Sequence, residues 1–383
     1  MPSPARVRLR HFMRLAAMAT ATTVIAVVAA CASERVPRIP ERLDDSTFWS
    51  MVNELSEPGG YFHSDNFVSN ELGFQYVIPE MLSAVGTGGV YVGVGPDQNF
   101  TYAAALRPRI AFVVDIRRQN MLQHLMYKAL IEMSSERADF LGRLFSRSWE
   151  ILPPSGLEAD SLFSLLAELP RDSGLYRGTI VAIFDRLTRD HGFILDSVDS
   201  AGLKYIFESF FSAGTSLTYS SNTARGFGTR GMPSYRTVLT ATDPEGVNRS
   251  YMGSDEAFAI LKDLQHRNLI VPVVGDFAGP KALRAVGEWL RQRDASVSVF
   301  YVSNVEQYLF QQSDAWRQFY ANVSSMPLHR HALFVRSVSN RGYRRNQHPA
   351  ARSSSVTSRI EELLGMHRTG RLHSYGDILE LSR

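Results

Sequence analysis

Cysteine is almost missing from this chain: Cys31 is the only one in 383 residues. A disulfide within the chain is therefore impossible, and so is a cysteine-based zinc centre. His63, His124 and His191 are separated by long intervals and give no H-E-x-x-H spacing, so nothing asks for a metal. No G-x-S-x-G elbow and no Walker loop occur, which removes the starting residues of the common hydrolase and P-loop routes. Net charge is scarce as well. The formal balance is +3, but residues 1–31 hold four arginines (Arg6, Arg8, Arg10, Arg14) and no acid, so the remainder stands at −1. A near-neutral body has no field for capturing nucleic acid, and no nucleic-acid partner is expected. Apolar residues are plentiful at 44%, enough for one large core or two modest ones.

The first thirty residues have the parts of a secretory signal: an arginine-bearing start, an apolar run over about residues 15–30, and small residues before a cut. That run is too short for a comfortable membrane span. Val28-Ala29-Ala30-Cys31 resembles the lipobox of bacterial lipoproteins, which implies that the Cys31 thiol is lipidated and becomes the new N-terminus. The plain alternative is an incidental cysteine closing an uncleaved anchor helix. Ser33, in place of an aspartate two positions after Cys31, implies by the same resemblance an outer-membrane rather than an inner-membrane destination. Arginines before the apolar run, with no counterpart just after it, favour an N-terminus inside and a domain outside. The expectation is a protein of the cell envelope whose lipid partner is reached through Cys31.

Residues 32–50, with Pro37 and Pro40, read as a tether, and residues 51–339 as the folded domain. Residues 69–85 have a helical pattern shortened or kinked by Pro79, and Ser69 or Asn70 is its cap, within a polar cluster that also holds Asp65, Asn66 and Glu71. Val90-Tyr91-Val92-Gly93-Val94 and Ile110-Ala111-Phe112-Val113-Val114 read as buried strands, with a helix between them over 97–106. Residues 119–149 have an amphipathic helical pattern. Residues 151–215 offer helices without strand alternation and form a helical insertion or cap. The glycine and serine cluster 220–233 reads as a loop. Strand and helix then alternate again: helix 255–265, strand 269–274, helix 280–293, strands 296–302 and 332–338. This alternation predicts an α/β fold, Rossmann-like, with a mainly parallel sheet and helices on both faces. Residues 340–383 read as a basic, solvated loop, carrying Arg341, Arg344, Arg345 and Arg352, followed by a C-terminal helix.

The chemistry-bearing stretch is 90–120. There a buried strand delivers Gly93-Val94-Gly95-Pro96-Asp97-Gln98-Asn99 to a helix start, and the next strand ends in Asp115. A glycine at a strand end permits a tight turn and a close approach of ligand to backbone, and exposed N–H groups of the next helix favour polar or anionic groups. An acid at the tip of the neighbouring strand can accept both hydroxyls of a ribose. Gln98 stands where G-x-G-x-x-G has its third glycine, which weakens a nicotinamide or flavin reading. Each residue also has a purely structural role open to it. Gly93 and Gly95 can serve the turn alone, Asp115 can cap the helix that follows it, and Asp276 can cap the helix near Pro280.

At these residues the chain resembles class I S-adenosylmethionine-dependent methyltransferases, in which a glycine-bearing loop follows the first strand and an acid ends the second. The resemblance covers about residues 69–339 without the insertion. It implies S-adenosylmethionine as cofactor, held by Gly93, Gly95, Asn99, Asp115 and Asp276. It also places Val274-Gly275-Asp276-Phe277 at the end of the fourth strand and Ser303 and Asn304 at the end of the fifth. Tyr61-Phe62-His63-Ser64-Asp65-Asn66 and residues 268–280 also resemble an uncharacterised bacterial family with this core. No general base is legible. Export and S-adenosylmethionine pull in opposite directions, because that cofactor is not expected beyond the inner membrane. The expectation is a membrane-tethered, methyltransferase-like protein or a degenerate nucleoside-binding domain with a small-molecule ligand. The contrasting expectation is a non-catalytic cell-envelope interaction protein.

Overall fold

The computed structural model describes residues 38–219, 231–339 and 352–382. Cys31, the core of the glycine and serine cluster at 220–230, and Arg341, Arg344 and Arg345 lie outside the described residues. Among the described residues no helix is long and apolar enough to cross a membrane.

Short β-branched runs become the strands Val90–Gly93 (β1), Ile110–Asp115 (β2), Ile270–Val274 (β3), Val297–Ser303 (β4), Leu328–Ser339 (β5) and Ser353–Arg359 (β6). They form one six-stranded sheet in the order β3-β2-β1-β4-β5-β6. β1 to β5 run parallel, and β6 pairs antiparallel with β5. This is a Rossmann-like α/β fold. Every residue of β1, β2 and β3 is buried, as a sheet covered on both faces requires.

Side chains alternate across the pleat, so the two faces carry different cores. Val92 registers with Phe112 on one side and Phe300 on the other. On that face Phe112 meets Trp289 of helix Ala282–Arg291, and Phe300 meets Phe277, Phe319 and Phe334. Burying each such ring stabilises the fold by about 1.5–3 kcal/mol. The opposite face presents Tyr91 and Tyr301, which meet Tyr102 of helix Gln98–Leu106.

Several elements differ from the sequence expectation, each for a local reason. Ile39, Leu43 and Phe48 are buried and helix Asp45–Glu54 begins within the expected tether, so the folded body takes in residues from Ile39 onward. Residues 69–85 are not one helix. A 3-10 turn, Phe74–Val77, leads into helix Ile78–Val85, which has Pro79 in its first turn, where the missing N–H costs nothing. The 119–149 pattern breaks into Arg118–Met133 and Arg137–Phe145, joined through an extended Ser134. The first of these is buried nearly all round, because the insertion helix Ser197–Ala213 packs against it. The expected basic loop is partly strand: β6 buries Ser354, Ser355, Thr357 and Ser358. Serine and threonine hide their small side chains there while the backbone pairs with β5, so no apolar alternation announced it. After it come two helices, Ile360–Arg368 and Tyr375–Leu381, where one was expected.

Candidate functional site

The connection after β1 leads to β2 on one side, whereas β4 lies on the other side of β1. The strand order therefore reverses at β1, and in open α/β sheets ligands bind in the crevice outside the carboxyl ends of the strands at such a point. A cleft of about 310 Å³ lies there. It is lined by Val94, Gly95 and Pro96 after β1, Asp115 and Arg117 at the end of β2, Gly275 and Asp276 after β3, and Ser303 and Asn304 at the end of β4. Residues between Tyr61 and Glu71 close one wall, and Tyr219 and Tyr308 contribute at another.

The strand ending at Val274 is the third, at the sheet edge beside β2, and the one ending at Ser303 is the fourth, beside β1. The expected numbering of fourth and fifth is thus one too high. Asp276, Ser303 and Asn304 nonetheless all reach the cleft.

The glycine loop divides its labour. Gly95 lines the cleft with φ of +83°, a backbone state that L side chains rarely adopt. Gly93 lies behind it, where a Cβ would come within 2.0 Å of Asn99 Oδ1. Its lack of a side chain makes room for Asn99. Asn99 does not line the cleft either. Its Nδ2 donates to the carbonyls of Val94, Gly95 and Pro96 at 3.0, 3.2 and 2.7 Å, and its Oδ1 accepts from Tyr91 Oη at 2.7 Å. His124 supports the same loop, with Nε2 donating to Gly95 O at 2.9 Å. Burial lowers its pKa to about 4, so the ring is neutral at physiological pH and the proton sits on Nε2. Gly93 and Asn99 shape the loop, and Gly95 faces the ligand space.

Asp115 is buried and held by Arg117. Oδ1 accepts from Arg117 N at 2.9 Å and Nε at 3.0 Å, and Oδ2 accepts from Nη2 at 2.8 Å. An ionised carboxylate has about four acceptor sites. Three are filled, so Asp115 has room for one ligand hydroxyl rather than both of a ribose. The following helix begins at Arg118 without a side-chain cap, so Asp115 closes a short turn and does not cap it directly. Asp276 accepts from Ala278 N at 2.9 Å and likewise leaves the next helix to another residue. Glu57 takes that role, accepting from Lys281 N at 2.8 Å and Ala282 N at 2.5 Å.

Sequence reasoning saw Glu71 only as part of the polar cluster before a helix and missed its place in the cleft. Glu71 is 3% exposed. Its Oε1 accepts from Tyr301 Oη at 2.8 Å and from Ser303 Oγ at 2.5 Å, and Gln98 Nε2 donates to the same Tyr301 hydroxyl. Glu71 Oε2 and Gln98 Oε1 have no hydrogen-bond partner. Burial raises the Glu71 pKa above the ordinary carboxyl value. A signal was present in the sequence: a lone acid between Val68, Leu72, Phe74 and Val77, all buried. The mouth is aromatic. Phe62 packs edge-on to Tyr308 with ring centroids 5.6 Å apart, His63 tilts against both rings, and burial raises Tyr219 to a pKa of about 12.

Such a cleft favours one ligand class over another. Its aromatic mouth suits a planar ring, and its polar floor suits hydroxyl and amine groups. Phosphate is poorly served: among the described residues Arg117 is the cleft's arginine, and it is spent on Asp115 and on the carbonyls of Ser64 and Asp65. Among the described residues there is also no group of three or more potential metal ligands.

Residues 66–150 and 208–374 match the model of a family described as Domain of unknown function (DUF7790). The chain belongs to this family. The matched residues hold all six strands, the glycine loop, Glu71 and Asp115, and they leave out most of the helical insertion. No curated protein matches the chain.

Proposed function

We propose that this protein is a membrane-tethered, methyltransferase-like domain whose cleft binds a phosphate-free nucleoside-type small molecule, with S-adenosylmethionine as the first candidate. The observation that carries the reading is the cleft at the carboxyl ends of β1, β2 and β4, built from Gly95, Asp115 and Ser303. The residues fit such a group. The backbone at Gly95 is open to close approach, Asp115 keeps about one acceptor site for a hydroxyl, and the rings of Phe62 and Tyr308 lie where a base can stack. When bound, S-adenosylmethionine would supply an electrophilic methyl group. The chain's own contribution is to bind and orient, and proximity then lowers the barrier.

Calorimetric titration of the full-length chain in detergent with S-adenosylmethionine and S-adenosylhomocysteine tests this. Saturable binding that weakens roughly ten- to hundred-fold in Asp115→Asn is expected, the worth of a hydrogen bond to a charged group. Asparagine keeps an acceptor oxygen for Arg117 that alanine would remove, and because it too loses the ion pair, the variant's unfolding midpoint is measured beside its binding. Absence of heat at millimolar ligand would point to a degenerate pocket. The tether has its own test: a fatty-acid analogue should label the wild type and not Cys31→Ala, and equal labelling of both would remove the anchor.

One observation favours the second reading, a non-catalytic cell-envelope interaction protein. The helical insertion carries exposed Ile151, Val181, Ile194 and Val198, apolar side chains that a protein partner would cover. Purified protein that neither carries nor binds a nucleoside, yet loses a partner when these four are changed to serine, would favour that reading.

A further inference from the structure

Seven acidic residues are buried in the described structure: Glu71, Asp97, Asp115, Glu132, Asp199, Asp243 and Glu306. Five of them face a cation: Asp115 has Arg117, Glu132 has Lys128 and Arg186, Asp199 has Arg118, Asp243 has Arg249 and Glu306 has Arg336. Glu71 and Asp97 have none among the described residues, and they flank the glycine loop. Asp97 lies behind it, where its Oδ2 accepts from Tyr251 Oη at 2.7 Å. Glu71 lines the cleft.

An unpaired buried carboxylate is expensive to keep, and one standing in a cleft is a candidate for a functional group. The hydrogen bonding around Glu71 says what is missing. Tyr301 and Ser303 both donate to Oε1, and Gln98 Nε2 is spent on the Tyr301 hydroxyl. The remaining capacity consists of acceptors, Glu71 Oε2 and Gln98 Oε1. Ser337 lies near enough to favour the charged form of Glu71, but its own hydroxyl donates to Ser353 Oγ at 2.9 Å. Glu71 and Gln98 line the cleft, their unpartnered acceptors are shut off from solvent, and a wall of this kind with no cation is complementary to a ligand that brings N–H donors and positive charge.

We propose that Glu71, with Gln98 and Ser303, forms an ammonium-binding subsite at the inner wall of the cleft, and that the ligand of this cleft carries a protonated amine. The subsite rests on the reading of the cleft as a ligand site, and it adds the charge and donor chemistry of that ligand. Glu71 is the acceptor of the ammonium. Tyr301 is a positioning residue, which fixes the Glu71 carboxylate and holds Gln98 beside it. Anionic ligand groups are disfavoured at this wall, whereas neutral hydroxyls lack the charge that would match Glu71.

The test uses small probes, so that it stands apart from nucleoside binding. Thermal unfolding of the full-length chain in detergent is followed with propylammonium chloride, propanol or tetramethylammonium chloride at matched ionic strength. Propylammonium should raise the midpoint in a saturable way, and the other two should not, because one lacks charge and the other lacks N–H donors. Glu71→Gln keeps the shape and the bonds to Tyr301 and Ser303, and should weaken propylammonium binding roughly ten- to hundred-fold. Equal response to all three probes, or an unchanged response in Glu71→Gln, would overturn the subsite. Propylammonium selectivity in a protein that ignores S-adenosylmethionine and S-adenosylhomocysteine would uphold the subsite and overturn the nucleoside reading alone.

Discussion

Glu132 on the helical side of the molecule and Glu71 in the cleft are buried acids held in opposite ways. Beside the insertion, Glu132 is enclosed by Lys128 Nζ at 2.5 Å, Arg186 Nε at 3.0 Å and His191 Nε2 at 2.6 Å, and His191 Nδ1 reaches Asp45 at 2.9 Å. These contacts join helix Asp45–Glu54, helix Arg118–Met133 and the π-helical segment Asp185–Asp190. Lys128 and His191 hold the Glu132 pKa at about 2 although burial pushes it up. At the cleft wall Glu71 has only hydroxyls for company, and behind the glycine loop Asp97 has only Tyr251, whereas Asp115 at the end of β2 keeps Arg117. At Glu132 the cations are built in. At Glu71, which lines the cleft, the cation is left out, and that is the difference expected between an acid that serves the fold and one that serves a ligand.

The largest effect should come from breaking a structural pair. Glu306→Gln leaves Arg336 fully buried without its counter-ion, and denaturant unfolding should show a loss of about 3–5 kcal/mol. A loss below 1 kcal/mol would mean that this pair is as dispensable as a surface one.

The next effect has the opposite sign and depends on pH. Burial raises the Asp97 pKa to about 7. Between the ordinary carboxyl value and that point the folded state binds more protons than the unfolded one, so Asp97 lowers stability progressively as pH rises from about 4 to about 7. Asp97→Asn should therefore be nearly neutral at pH 4 and stabilising by roughly 2–4 kcal/mol at pH 8. Urea midpoints at the two pH values check this, and a pH-independent difference would assign Asp97 to the structural class. A smaller effect sharpens the division within the loop. Gly95→Ala should cost about 1 kcal/mol for its positive φ. Gly93→Ala should cost more, because it drives Asn99 from the three carbonyls it holds.

The sheet was largely legible in the sequence because its five parallel strands are buried runs of Val, Ile and Phe at the spacing of a βα alternation. β6 was not, since Ser353-Ser354-Ser355-Val356-Thr357-Ser358 pairs through its backbone and has no apolar face to recognise. In the site, Gly95, Asp115 and Asp276 could be read because they sit at strand ends, and strand ends meet at the cleft. Glu71 precedes β1 and Ser303 ends β4, 232 residues apart, and no local pattern ties such positions together. Asp115 was legible as a position but not as a state, because the Arg117 clamp depends on a side-chain rotamer. Gly93 and Asn99 looked like ligand contacts because a loop that must be shaped and a loop that must bind have the same composition.

Glu71 is where the contrast between paired and unpaired acids can be put to a single measurement. Urea unfolding of the full-length chain without ligand, near neutral pH, compares wild type with Glu71→Gln. An acid kept without a cation, for a ligand that is absent, destabilises the fold, so the midpoint should move upward in the variant with the slope unchanged. A downward shift would contradict the account, because it would mean that the Glu71 charge is compensated within the protein and holds the fold together as Glu132 and Glu306 do.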